Sequence, residues 1–146
     1  MILRTLGSIA FSGDWGRQMR FISGPRQCGK TTLARTQLRA TGCSGLYYLW
    51  DLRSVRQRYK TDELFFTADF PASVAVPWVC LDEIHKMPQW KNMLKGFFDS
   101  LSERCRLVVT GSAKLNILRR AGDSLAGRYF TFHLLPVTLA EFTGTG

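Results

Sequence analysis

The feature that most constrains this chain is residues 24–31, which match the pattern GxxxxGK[ST] in full. A short apolar run, residues 18–23, precedes them, and a helical pattern, residues 31–40, follows. Successive backbone N–H groups in such a loop form a concave anion site, and glycine permits the backbone angles that the loop needs. The helix directs its N-terminal N–H groups and the positive end of its dipole at the same place. The segment therefore predicts a phosphate-binding loop (P-loop) between a strand and a helix, against the alternative of an incidental glycine-rich turn.

Two side chains at the end of this loop have specific expected tasks. Lys30 can reach the β- and γ-phosphates of a nucleotide, and the hydroxyl of Thr31 can ligate Mg²⁺. We expect the bound phosphates to lie against Gly24, Pro25, Arg26, Gln27, Cys28, Gly29, Lys30, Thr31 and Thr32.

A carboxylate pair follows a second buried run. Residues 78–81, Trp-Val-Cys-Leu, predict a strand that ends in Asp82 and Glu83. Asp82 would hold Mg²⁺ through water, because Mg²⁺ retains several of its waters in proteins. Glu83 could polarise the water that attacks the γ-phosphate. The alternative is an acidic pair that begins a helix.

The base is predicted from motifs that the sequence lacks. It contains no Asn-Lys-x-Asp motif for guanine and no DxxG after the acidic strand, which favours ATP over GTP. It also lacks Leu-Ser-Gly-Gly-Gln, which argues against a transporter-type ATPase. ATP with Mg²⁺ is the predicted ligand.

Three further residues are candidates for catalysis. Thr110 and Ser112 follow the apolar run 106–110, where a hydroxyl could sense the γ-phosphate or orient the attacking water; a polar turn is the alternative. Arg128 could neutralise charge in the transition state, in its own site or a neighbour's, or it could be a surface residue. His133 is expected to be structural.

Short apolar runs alternate with helical patterns, which is typical of an α/β fold with a parallel sheet. One domain is expected to span residues 1–146. The helix at 90–101 has the clearest period, with an apolar stripe expected in the core. The alternating strand 129–134 is expected at the sheet edge. Thr138 and Glu141 form a capping-box pattern, which is typical of a helix start. Residues 61–77 show no clear pattern. The predicted strands are 18–23, 46–50, 78–81, 106–110 and 129–134, and the predicted helices are 31–40, 53–60, 90–101 and 114–121.

The amino-acid composition does not identify the class of partner. The net charge of +9 fits nucleic acid or an acidic protein, or simply a solvated basic surface. No uninterrupted apolar run is long enough to cross a membrane, so no membrane association is expected. The four cysteines form no CxxC pair and no zinc-like spacing with His85 or His133, which predicts free thiols and a cytoplasmic location.

Four segments together resemble the ATPase core of an archaeal and bacterial AAA-type family, whose members carry a C-terminal domain of winged-helix and nuclease-like character. The segments occur in order as GPRQCGKTTLA, WVCLDEIHKMPQWKNMLKGFFD, RLVVTGS and SLAGRYFTFHLLPVTLAEF. The resemblance implies a P-loop NTPase three-layer sandwich with a parallel five-stranded sheet in the order 5-1-4-3-2. It places the P-loop strand centrally and the acidic strand two places away, and it makes residues 110–112 the sensor element.

The expected function is a Mg²⁺-dependent ATPase module that acts on a partner. Relative to the family, the chain is expected to end before the C-terminal domain and the helical lid, and so to turn over ATP slowly alone. A homo-oligomer, DNA or a protein are the possible partners. The alternatives are an ATP-gated regulatory switch with little turnover and a small-molecule kinase.

Overall fold

The computed structural model describes residues 5–112, 125–136 and 142–144. Within these residues the chain forms five strands, four α-helices and three 3₁₀-helices. The strands are β1 Met19–Ser23, β2 Tyr47–Leu49, β3 Trp78–Asp82, β4 Arg106–Gly111 and β5 Tyr129–His133. The α-helices are α1 Thr5–Ala10, α2 Lys30–Ala40, α3 Arg53–Thr61 and α4 Trp90–Leu101; the 3₁₀-helices are Gly13–Trp15, Phe65–Asp69 and Ile84–Lys86. The predicted helix 114–121 and the capping box of Thr138 and Glu141 lie outside the described residues.

The sheet has the order β2-β3-β4-β1-β5, and every neighbouring pair is parallel. Read from the other edge this is 5-1-4-3-2, so the predicted order is confirmed. The acidic strand β3 lies two places from β1, as expected. The P-loop strand is an interior strand but not the middle one, because only β5 lies beyond it; β4 is central.

Helices cover the two faces of the sheet. Tyr47 and Tyr48 point to opposite faces of β2, because successive side chains of a strand alternate. The ring of Tyr47 lies under the guanidinium of Arg35 on α2. The ring of Tyr48 contacts Phe66, which in turn meets Phe97 on α4. Helices α2 and α4 therefore lie on opposite faces, in the arrangement of a three-layer sandwich.

Burial follows the sequence patterns. All five residues of β1 are buried, as a strand covered on both faces requires. The edge strand β5 alternates as predicted: Phe130 and Phe132 both contact Trp15, while Tyr129 stacks on Phe21 of β1. The α4 stripe is also confirmed, and its buried members are Met93, Leu94, Phe97 and Leu101.

A buried arginine fixes the N-terminal segment, whose helix α1 the sequence patterns did not predict. Arg20 on β1 is 1% exposed and lies with its guanidinium 5.0 Å from the Trp78 ring centroid. Burial is the larger cause, and repulsion from Arg106 the smaller one, of a pKa of Arg20 that is lowered to about 10. The guanidinium therefore stays charged at neutral pH. It donates hydrogen bonds to the carbonyls of Ala10, Ser12, Gly16 and Gln18. These bonds hold the residues before β1 against the edge where the strands begin.

The four cysteines are buried and none is in a disulfide, as predicted. No helix among the described residues is both long enough and apolar enough to cross a membrane.

Candidate nucleotide-binding site

The P-loop turns between the end of β1 and the start of α2, and close packing restricts its first residue. A Cβ on Gly24 would lie 2.4 Å from the carbonyl oxygen of Leu134 and 2.9 Å from the sulfur of Cys28. Gln27 and Gly29 have positive φ angles of 61° and 97°. The loop therefore needs glycine at residue 24 for space and at residue 29 for its backbone conformation.

Lys30 places its charge within the loop. Its ammonium donates to the carbonyl oxygens of Gly24 at 2.9 Å and Pro25 at 2.8 Å. These bonds hold a cation beside the backbone that is expected to receive phosphate oxygens. The role of Lys30 toward the β- and γ-phosphates stays a prediction.

The carboxylate of Asp82 accepts hydrogen bonds from three hydroxyl groups. Its carboxylate lies at the end of β3, and the residue is 5% exposed. Thr31 donates to Oδ2 at 3.2 Å, and Thr110 donates to Oδ1 at 2.7 Å. Tyr47 on β2 also donates to Oδ2. The two predicted metal ligands, Thr31 and Asp82, are thus in contact.

Thr110 takes a different position from the one expected of a sensor. Its side chain is fully buried and its hydroxyl is directed at Asp82. Through this bond Thr110 orients the Asp82 carboxylate. Ser112, two residues later, lies with its Oγ 3.5 Å from Nε2 of His85.

Glu83 has a strained backbone, and its side chain is restrained by contacts with His85 and Lys86. Its φ of 62° is unusual for a residue other than glycine and costs on the order of 1–3 kcal/mol. Its N–H donates to the carbonyl of Thr110 at 3.0 Å. One carboxylate oxygen lies 3.3 Å from Nε2 of His85 and 3.7 Å from Nζ of Lys86. Lys86 is anchored in turn by Asp51, at 2.9 and 3.0 Å.

This network crosses the edge of the sheet where the strands end, which we call the carboxyl edge. It runs from Asp51, just after β2, through Lys86 to Glu83 after β3. From Glu83 it continues through His85, whose side chain is 6% exposed, to Ser112 after β4. The position of the Glu83 carboxylate therefore depends on groups at the ends of three strands.

A cleft of about 410 Å³ joins the loop to the acidic pair. Its volume is typical of a small-molecule site. The residues lining it are Arg26, Gln27, Gly29, Lys30, Thr31, Thr32, Asp82 and Glu83. The structure thus brings together the phosphate loop, the candidate metal ligands and the candidate base.

The donors beside this cleft fit Mg²⁺ in part. A hydroxyl and a carboxylate are hard oxygen groups of the kind that Mg²⁺ prefers. Among the described residues no group of three or more His, Cys, Asp or Glu side chains could hold a metal ion. Phosphate oxygens and water would therefore have to complete the coordination, as is usual for Mg²⁺ bound with a nucleotide.

Arg128 lies apart from this site. It precedes β5, and its carbonyl accepts from the N–H of Met19 at the start of β1. The P-loop follows the other end of β1, roughly 13 Å along the strand at about 3.3 Å per residue. The guanidinium pairs with Asp99 on α4, at 2.9 and 3.5 Å. The structure does not bring Arg128 to the site of its own chain, which corrects the cis alternative.

The family model of the AAA domain matches residues 16–143. The chain belongs to the AAA domain family. It is therefore a nucleotide-binding P-loop module of a family whose members usually are ATPases and generally bind ATP with Mg²⁺. No curated protein matches this AAA domain. The narrower archaeal and bacterial family with a winged-helix domain stays a prediction, because the matched model covers the AAA domain alone.

Sequence reasoning missed four residues of this AAA domain's site. The sequence patterns assign no role to Tyr47, Asp51 or Lys86, and His85 enters them only through the absence of a zinc-like spacing. Three of them follow a strand or lie in the DEIHK segment, and Tyr47 carries a hydroxyl within an apolar strand. Position at the carboxyl edge of a parallel sheet was the available signal for Asp51, His85 and Lys86.

Proposed function

We propose that this AAA domain binds ATP with Mg²⁺ at residues 24–32 and hydrolyses the γ-phosphate with Glu83 as the general base. The observation that carries the proposal is the 3.2 Å contact between Thr31 Oγ1 and Asp82 Oδ2 beside the cleft. It joins the last residue of the P-loop motif to the acidic strand, which are 51 residues apart in the chain.

Binding relies on the loop and its lysine. The backbone N–H groups of the loop and the start of α2 would donate to the phosphates, and Lys30 would supply positive charge between them. Thr31 donates its hydroxyl proton to Asp82, which leaves its oxygen lone pairs available to a metal. Bound Mg²⁺ supplies charge neutralisation on the phosphate oxygens.

Hydrolysis would rely on Glu83. Glu83 lines the same cleft as Lys30 and Thr31, and its carboxylate would accept a proton from a water there. His85 and Lys86 orient the carboxylate and limit its rotation. The strained backbone at Glu83 supports a functional role, because such strain clusters at active sites.

The test compares Glu83→Gln with the parent chain. The amide keeps the size but does not accept the proton, so the rate should fall by on the order of 10²–10⁴ while ATP affinity stays nearly constant. Glu103→Gln is the matched control, since Glu103 pairs with Arg17 on the exposed surface. A Glu83→Gln chain that keeps the parental rate would refute the role of Glu83.

A second candidate function is an ATP-gated switch that binds nucleotide with little turnover. The observation in its favour is the contact of Glu83 with the imidazole of His85 and the ammonium of Lys86, which holds the base against the protein's own side chains. Multiple-turnover assays with and without DNA separate the two functions. A rate that stays near zero under both conditions, with ATP bound, would favour the switch.

The partner is proposed from charge. Helix α3 carries four basic residues and no acidic one, and the whole chain has a net charge of +9. Such a surface supports a nucleic-acid or acidic-protein partner, and binding to DNA would weaken steeply as salt rises. A homo-oligomer, in which Arg128 serves a neighbouring site, and a cytoplasmic location also stay proposals.

A further inference from the structure

We propose that Tyr47 is a positioning residue for the Mg²⁺ site: its hydroxyl fixes the Asp82 carboxylate so that Thr31 stays oriented as a metal ligand. This role rests on the proposed function, since it concerns the same metal. Tyr47 lies on β2, outside both the P-loop and the acidic strand β3.

The sheet places Tyr47 beside Asp82. In the parallel pairing of β2 with β3, Tyr47 is the register partner of Cys80. Cys80 and Asp82 point to the same face of β3, because side chains two apart in a strand share a face. The phenol of Tyr47 therefore reaches along β3 to the carboxylate, and α2, which carries Thr31, covers the same face.

The ring of Tyr47 is held independently of its hydroxyl. The guanidinium of Arg35 lies 4.3 Å from the ring centroid, a cation–π contact between α2 and β2. Arg35 is one helical turn beyond Thr31, so the same helix presents both residues to this face. The hydroxyl can therefore be removed while the ring and its contact remain.

The two oxygens of Asp82 have different partners. Oδ1 accepts from Thr110, whereas Oδ2 accepts from both Thr31 and Tyr47. Without the phenol, the Asp82 carboxylate would keep two of these three donors, Thr110 and Thr31. Its rotation relative to Thr31 would then be fixed by Thr110. The phenol of Tyr47 donates its proton to Oδ2, so it restrains the oxygen that also accepts from Thr31.

The orientation of Thr31 then follows from Asp82. A hydroxyl that donates its proton to a carboxylate presents its lone pairs elsewhere, and here those lone pairs are the proposed Mg²⁺ ligand. Groups that hold a metal ligand in this way typically change metal affinity by 10–100-fold when they are removed. Tyr47 should consequently affect the Mg²⁺-dependent part of nucleotide binding and leave the P-loop contacts intact.

Tyr48→Phe is the matched control for Tyr47→Phe. The neighbouring Tyr48 donates its hydroxyl to Asp69 at 2.6 Å, on the opposite face of β2. Both variants lose one phenol–carboxylate hydrogen bond from the same strand. Only the loss at Tyr47 touches the candidate metal site.

The experiment is a calorimetric titration of the full chain with ATP at several Mg²⁺ concentrations and in EDTA. For Tyr47→Phe we expect about a tenfold higher Mg²⁺ concentration at half-maximal enhancement of ATP binding, with affinity in EDTA within about twofold of the parent. Tyr48→Phe should match the parent in both measurements. Thermal melting of the two variants shows whether each remains folded at the assay temperature.

Three results would overturn the proposal. An unchanged Mg²⁺ requirement in Tyr47→Phe, with a Mg²⁺-dependent parent, would refute the role of Tyr47 alone. An equal loss of ATP affinity with and without Mg²⁺ would make Tyr47 a support of the fold. A parent that binds ATP equally well in EDTA would refute the Mg²⁺ part of the proposed function together with this role.

Discussion

Replacing Gly24 by alanine should damage the P-loop through a backbone clash. The added Cβ would lie 2.4 Å from the carbonyl oxygen of Leu134 and 2.9 Å from the sulfur of Cys28. Ordinary contact begins at about 3.4 Å, so the chain after β5 and the loop must separate by about 1 Å. The N–H of Leu134 also donates to the carbonyl of Ser23 at 2.8 Å, so this movement strains the pairing beside the loop.

The magnitude follows from the cost of overpacking. Inserting a methyl group into a packed site costs about 1–3 kcal/mol in the free energy of unfolding. For a domain of this size each kcal/mol lowers the melting temperature by roughly 3–4 °C. Gly24→Ala should therefore melt roughly 3–12 °C lower. Because the loop's N–H groups shift with it, ATP affinity should fall by at least about tenfold.

Gly96→Ala is the control with the opposite expected sign. Gly96 is exposed within α4, and no atom lies within 4 Å of the position that its Cβ would take. Alanine there should stabilise the domain by about 0.5–1 kcal/mol, since glycine is a poor helix former. Differential scanning calorimetry and ATP titration of both variants are the assays. A Gly24→Ala chain with parental stability and affinity would refute the packing argument.

Three further predictions concern the contacts of His85, Arg128 and Arg20. His85→Ala should lower the hydrolysis rate about tenfold with ATP affinity unchanged, because it releases Glu83; steady-state assays should show no additional loss when Glu83→Gln is already present. If Arg128 serves a neighbouring chain, Arg128→Ala should regain activity when mixed with an excess of Lys30→Ala chains, and a mixture as inactive as its components would exclude that role. Arg20→Met should destabilise the domain by about 3–5 kcal/mol, since four carbonyls lose their donor; a urea midpoint within error of the parent would contradict this.

Apolar patterns predicted most of the fold. Buried strands and the α4 stripe follow from hydrophobic periodicity, which depends on neighbours along the chain. Helix α1 and the 3₁₀-helix Phe65–Asp69 were missed, because their burial depends on distant partners. Phe66, for example, is covered by Tyr48 and by Phe97 of α4, which no local pattern in residues 61–77 reveals.

The site was predictable where a motif is continuous in sequence. The loop, Lys30, Thr31 and the acidic pair follow from local patterns with known chemistry. Tyr47 meets Asp82 only because β2 pairs with β3. The two residues are 35 positions apart in the sequence, and no local pattern reveals their contact. The placement of Arg128 follows from the sequence alone: Arg128 precedes a parallel strand and the P-loop follows one, so the two lie at opposite edges of the sheet.

Calorimetric titration of the parent and of Lys30→Ala with ATP and Mg²⁺ tests the central claim most directly. Lys30 supplies one positive charge to phosphates expected about 4 Å away, worth about 4 kcal/mol at the effective dielectric constant of a partly exposed site. We therefore predict saturable one-site binding by the parent and at least a hundredfold weaker binding by Lys30→Ala, with Lys60→Ala, on the exposed part of α3, equal to the parent. Equal affinity of the parent and Lys30→Ala would contradict the assignment of the phosphate loop.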